Sequence, residues 1–188
     1  MIRTTGSWEY EDRRTCQEIV SRVWLGPYIV GKDDDLLSYM HITDIILVRS
    51  PVGVERDLLK ERSDKYRYHV VEMNDSRIDC PQKIFSSFSD LVSQLSEHSD
   101  KGVLVLGLTG MNRSCALLAA FLIKYQSLSS NDALEYLASR RRCVSLSEAL
   151  KRQLSEFEIF AKQFSLNVSP RLKRNRSCFL VFLFGSSS

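Results

Sequence analysis

Apolar positions along the chain fall into alternating strand-length and helix-length blocks. After a loose polar arm carrying the aromatic pair Trp8 and Tyr10, Ile19–Leu25 reads as a first strand pair closed by the Gly26-Pro27 turn signal. Asp33–Asp35 precede a short helical pattern through Leu36, Leu37 and Met40, where acids in the first turn complement the helix dipole. Ile42–Val48 is a mostly apolar run, the pattern of a strand buried on both faces, and Tyr66–Met73 is a further strand candidate.

Asp79 as N-cap and Pro81 in the first turn announce a helix whose apolar residues Ile84, Phe85, Phe88, Leu91, Val92 and Leu95 follow the 3.6-residue period. Gly102–Leu106 is a short apolar strand that runs through a glycine-containing turn into Ser114–Tyr125. That segment is apolar nearly all round and predicts a buried central helix. Two amphipathic helices follow. One starts near Ser129 or Ser130; the other has the capping box Ser145 with Glu148 and the stripe Leu150, Leu154, Phe157, Ala161 and Phe164. Alternating strands and helices predict an α/β domain with a mostly parallel central sheet and helices on both faces. The expected boundaries are an arm over 1–18, the domain over 19–164 and a tail over 165–188.

Composition narrows the class. The 188 residues suffice for one ordinary domain with a real core, and 44% hydrophobic against 26% charged residues fits a soluble globular protein. The opening residues do not look like a signal peptide, and no apolar run approaches the roughly 18 residues of a membrane helix. Five scattered cysteines (Cys16, Cys80, Cys115, Cys143 and Cys178) without CxxC spacing read as free thiols. The net charge of +3 comes from the tail, where Arg171, Lys173, Arg174 and Arg176 meet no acid; the remainder carries 22 bases and 23 acids. A near-neutral body argues against a nucleic-acid binder.

The segment Val103–Ser114 concentrates the candidate chemistry. A strand, a tight turn holding Gly107 and Gly110, then a helix N-terminus form a ready anion site, with converging backbone N–H groups and a favourable dipole. Arg113 at the helix start has the planar fork that grips two phosphate oxygens. A plain strand-to-helix turn with Arg113 on the surface is the other reading of the same residues. The pattern is neither a Walker A loop nor a GxGxxG turn.

The stretch Leu106-Gly107-Leu108-Thr109-Gly110-Met111-Asn112-Arg113-Ser114 resembles the HCxxGxxRS signature of the dual-specificity protein phosphatases. Leu106 stands for the histidine and Gly107 for the nucleophilic cysteine. Trp24–Tyr28, Ile42–Val48, Tyr68–Asp75 and Arg140–Ser147 resemble the flanking segments of that family, so the similarity covers about residues 8–164. The arm residues Trp8, Tyr10, Arg13-Arg14 and Gln17–Ile19 resemble those of pseudophosphatase members that also carry glycine at the cysteine position. Those members keep the histidine that Leu106 replaces.

The resemblance implies a protein that cannot form a phosphocysteine. Glycine has no nucleophile, and the hydroxyls of Thr109 and Ser114 lack a paired base, since His41, His69 and His98 lie elsewhere in the sequence. Cys115 reads as a buried apolar filler. Asp75 takes the general-acid position, 32 positions before Gly107, as a relic, a phosphosite contact or a solvated turn aspartate. Ser114, which in the family eases departure of the sulfur, is idle. Because active relatives carry cysteine there, position 107 is expected to have room for a side chain.

What remains is phosphate binding by Gly107, Leu108, Thr109, Gly110, Met111, Asn112, Arg113 and Ser114, with no metal and no cofactor. The expected protein is a monomeric regulator in cytoplasm or nucleus, with phosphorylated Ser/Thr/Tyr proteins or MAP kinases as partners and no nucleic-acid or membrane partner. A scaffold whose loop no longer binds phosphate and a weak active phosphatase are the alternatives. The tail, with Arg171–Arg176 before the apolar Phe179–Phe184, resembles a MAP-kinase docking peptide and equally a nuclear signal or a disordered end.

Overall fold

A computed structural model describes residues 9–51, 64–73, 80–97 and 101–167, the side chains of 164–167 excepted. Five strands form one sheet: β1 (Gln17–Val20), β2 (Val23–Pro27), β3 (Ile42–Arg49), β4 (Arg67–Glu72) and β5 (Gly102–Gly107), in the order β1-β2-β5-β3-β4. The β1–β2 pair is antiparallel; every other pairing is parallel. The Ile19–Leu25 segment is therefore a hairpin, reversed at Ser21-Arg22 with Arg22 at φ 62. Gly26-Pro27 closes β2 and leads into a 3-10 turn over Tyr28–Lys32.

The helices are α1 (Asp34–Tyr39), α2 (Pro81–Ser96), α3 (Arg113–Gln126), α4 (Ser130–Arg140) and α5 (Glu148–Asn167). Alternation along the strands divides the core in two. Ile46 and Val48 of β3 with Val103 and Val105 of β5 face the layer of α2 to α5. Ile45, Leu47, Leu104 and Leu106 face the opposite side, where Leu37 and Met40 of the α1 region cover them. The all-round apolar sequence of α3 has its reason in this arrangement: Ser114–Ile123 is buried between the sheet and the other helices.

Three expected boundaries shift. Cys80, not Asp79, is the N-cap of α2, because Pro81 takes the first helical position. The sheet begins before residue 19, since Gln17 and Glu18 already pair with Leu25 and Trp24. Helix α5 runs to Asn167, beyond the expected end at 164. The basic and apolar tail lies outside the described residues, as does Trp8.

The outer strand β4 is held by a polar clasp as well as by its ladder. Asp44 on β3, only 1% exposed, accepts from Arg67 Nε at 2.9 Å and Nη2 at 2.6 Å, from Thr43 Oγ1 at 2.8 Å, and lies 3.0 Å from His69 Nε2. Burial raises the Asp44 carboxyl, but the hydrogen bonds from Arg67, His69 and Thr43 outweigh it and hold it at about 2. A carboxyl that titrates lower folded than unfolded stabilises fully above about pH 4 and loses that stabilisation as pH falls through its folded value. Arg67 is 59% exposed, so solvent screens part of the pair. Asp44→Asn is expected to lower the unfolding free energy by about 1–3 kcal/mol at pH 7. Urea titrations should show variant and wild type converging as the pH approaches 2.

Candidate functional site

The C-terminal end of β5, at the middle of the sheet, delivers Gly107, and Arg113 begins α3 six residues later. The chain between them is pressed onto the end of β2. Gly110 has φ 63, and a β-carbon there would lie 2.6 Å from the carbonyl carbon and oxygen of Gly26 and 2.9 Å from the nitrogen of Pro27. Only glycine meets both demands. Gly26 in turn carries no side chain because its β-carbon would stand 2.7 Å from that of Cys16. Arm, strand and loop are thus stacked backbone upon backbone.

Two further braces hold the loop. Arg141, 1% exposed, donates from Nε to the Gly110 carbonyl at 2.8 Å and from Nη2 to the Thr109 carbonyl at 3.2 Å. Its Nη1 donates to the Thr15 carbonyl at 2.8 Å and to the side-chain oxygen of Gln17. In the sequence it is one of three consecutive arginines, and nothing local tells which turns inward; Arg140 and Arg142 are exposed. The second brace is the segment before α5. Ser145 N–H donates to the Met111 carbonyl at 2.9 Å, and Ser147 N–H donates to Asn112 Oδ1 at 3.0 Å. This commitment removes Ser145 from the helix start. Ser147, immediately before α5, accepts from Leu150 N–H at 3.4 Å instead, and Glu148 pairs with Lys151.

The expected site residues separate into those the fold gathers and those it does not. Gly107 is buried, but the room expected beside it is partly taken. A β-carbon at 107 would lie 2.8 Å from Ser114 Oγ, 3.2 Å from Ser114 Cβ and 3.6 Å from Gly110 N. The Ser114 hydroxyl has turned over the glycine, and a side chain at 107 requires it to swing away. Ser114 is 1% exposed, and among the described residues its hydroxyl finds no hydrogen-bond partner. A buried hydroxyl left unpaired costs about 1–3 kcal/mol, so it is a donor waiting for an acceptor.

Arg113, part-buried, donates from Nη1 to the Met73 carbonyl at 3.3 Å, which brings it to the end of the β4 segment. Leu108 is 49% exposed; Thr109, Met111 and Asn112 are half-buried. Leu106 is fully buried in the cluster with Leu37, Ile45, Leu47 and Leu104, contributing to the core about 1.5–3 kcal/mol rather than chemistry. Cys115 donates to the Gly110 carbonyl at 3.4 Å. Burial pushes its thiol to about 12 against the opposing charge of Arg141, so it supplies no thiolate. His69 is engaged with Asp44, and His41 precedes β3, at the opposite end of the parallel strands. Asn74, Asp75 and His98 lie outside the described residues.

Residues 23–160 match the family model described as the catalytic domain of dual specificity phosphatases. The mouse serine/threonine/tyrosine-interacting protein is 28% identical over 174 residues, covering 90% of this chain and 77% of that protein. Its Xenopus laevis counterpart, form B, is 27% identical over 173 residues, covering 90% and 76%. The crystal structure of the human tyrosine phosphatase-like serine/threonine/tyrosine-interacting protein aligns with a TM-score of 0.70 at 27% identity, over 79% of this chain and 98% of that one.

The backbone stack yields a direct test. Gly110→Ala combines a left-handed φ with a 2.6 Å collision against backbone that cannot rotate away. It is expected to destabilise the domain by roughly 2–4 kcal/mol, seen as a lowered melting temperature.

Proposed function

Because the chain belongs to the dual-specificity phosphatase family yet ends β5 in Gly107, we propose that it is a noncatalytic member that binds phosphorylated proteins. It would regulate signalling by competing with active phosphatases for phosphorylated Ser, Thr or Tyr, or by anchoring a MAP-kinase-type partner. The observation that carries this reading is the Ser114 hydroxyl folded over Gly107, buried and unpaired among the described residues. The loop offers donors and no nucleophile. Its amides, the α3 dipole and Arg113 hold an anion without needing a thiolate, and the missing thiolate removes one repulsive charge from the site. The bond from Arg113 to the Met73 carbonyl favours the second reading, a scaffold whose loop cation is satisfied internally.

Purified protein is expected to show no turnover of an aryl phosphate above buffer. Activity that is abolished by Arg113→Ala would overturn the noncatalytic reading. Charge-assisted hydrogen bonds contribute about 1.5–3 kcal/mol. Calorimetry should therefore show Arg113→Ala weakening phosphopeptide binding by roughly ten- to a hundredfold, whereas unchanged affinity would establish the scaffold.

Gly107→Cys is expected to create a weak phosphatase once Ser114 turns its hydroxyl away from the new β-carbon. With a thiol near its ordinary value of about 8.5, only about 3% is ionised at pH 7, so activity should rise with pH and require Arg113. A folded Gly107→Cys protein that binds phosphopeptide but shows no turnover at any pH would mean that more than the nucleophile is missing.

A further inference from the structure

Arg141 carries a full charge into the interior, yet its four hydrogen bonds go to the Gly110, Thr109 and Thr15 carbonyls and the Gln17 side-chain amide, all neutral. Among the described residues no carboxylate forms an ion pair with it. A buried cation balanced only by dipoles is expensive to keep, and a nearby anion relieves that expense.

The two loop carbonyls matter by their direction. In a trans peptide the C=O and the following N–H point to opposite sides. Arg141 draws the Thr109 and Gly110 carbonyls toward itself, so the N–H groups of Gly110 and Met111 are turned away from it. Gly110 N lies 3.6 Å from the position of the missing Gly107 β-carbon, which is the place an incoming phosphoryl group approaches.

We infer that Arg141 is the positioning residue of the anion site, turning loop amides toward the ligand and leaving its own charge for a phosphate dianion to balance. The inference rests on the phosphate-binding reading above and adds to it. Through Thr15 and Gln17 it makes the segment around β1 part of the binding machinery.

The test compares binding of a phosphotyrosyl peptide, a dianion, with its sulfotyrosyl twin, a monoanion, by calorimetry on the full chain. Arg141→Met should weaken both and shrink the preference for phosphate about tenfold, the effect of one charge acting through partly screened protein. Arg141→Lys keeps the charge but loses the fork, so both affinities should fall while the preference stays. A purely structural role would lower both affinities equally in both variants. Loss of affinity with an unchanged preference in Arg141→Met, or loss of the preference in Arg141→Lys, overturns the assignment of the charge. Wild-type affinities in either variant overturn the positioning role. If Arg141→Met does not fold, Arg141→Gln, which also removes the charge but keeps a polar end for the loop carbonyls, is judged by the same outcomes. A wild type that binds neither peptide overturns the phosphate-binding reading and this inference with it.

Discussion

Gly110 lies so close to the Gly26-Pro27 backbone that not even a methyl group fits between them, and the loop takes its shape from that contact. The approach is possible because Gly26 also lacks a side chain, which lets Cys16 close the stack from beyond. Arg141 then ties the loop carbonyls to the segment around β1, and Ser145 and Ser147 tie Met111 and Asn112 to the start of α5. None of these contacts involves the residue at 107. The turn can therefore lose a nucleophile and still present the same amides at the same helix end.

That separation gives the functional reading its physical basis. Nucleophilic chemistry depends on one sulfur atom, whereas anion binding depends on backbone donors and a helix dipole that substitution at 107 does not remove. Ser114 takes up the space: its hydroxyl stands 2.8 Å from where a β-carbon at 107 would lie and has no hydrogen-bond partner among the described residues. Cys115 is adjacent in sequence but is no substitute, because burial pushes its thiol far above neutral pH.

Much of the architecture was legible from pattern. The buried strands β3 and β5 and the all-round apolar helix α3 stand out because position at the centre of a sheet or bundle demands apolar residues on every face. Gly107, Gly110, Arg113 and Ser114 were legible because their spacing repeats a signature. Helix starts were less so. Ser145 with Glu148 satisfies the capping-box spacing, yet the Ser145 N–H is claimed by Met111 from a distant part of the chain, and the helix begins at Glu148 instead. Local rules rank a capping residue only against its neighbours; they carry no information about a competing long-range hydrogen bond.

The sequence by itself determined the fold class, the position of the glycine-containing loop and the lack of a cysteine at 107, since each follows from residue type at fixed spacing. Tertiary structure alone decided which of three adjacent arginines enters the core, that Leu106 is core packing, and that the Ser114 hydroxyl occupies space a nucleophile would need. The first two depend on contacts between residues tens of positions apart, Arg141 reaching Thr15 across 126 positions and Leu106 sharing a core cluster with Leu37. Side-chain direction at such places is set by whichever partner the fold brings near, and no local pattern encodes it.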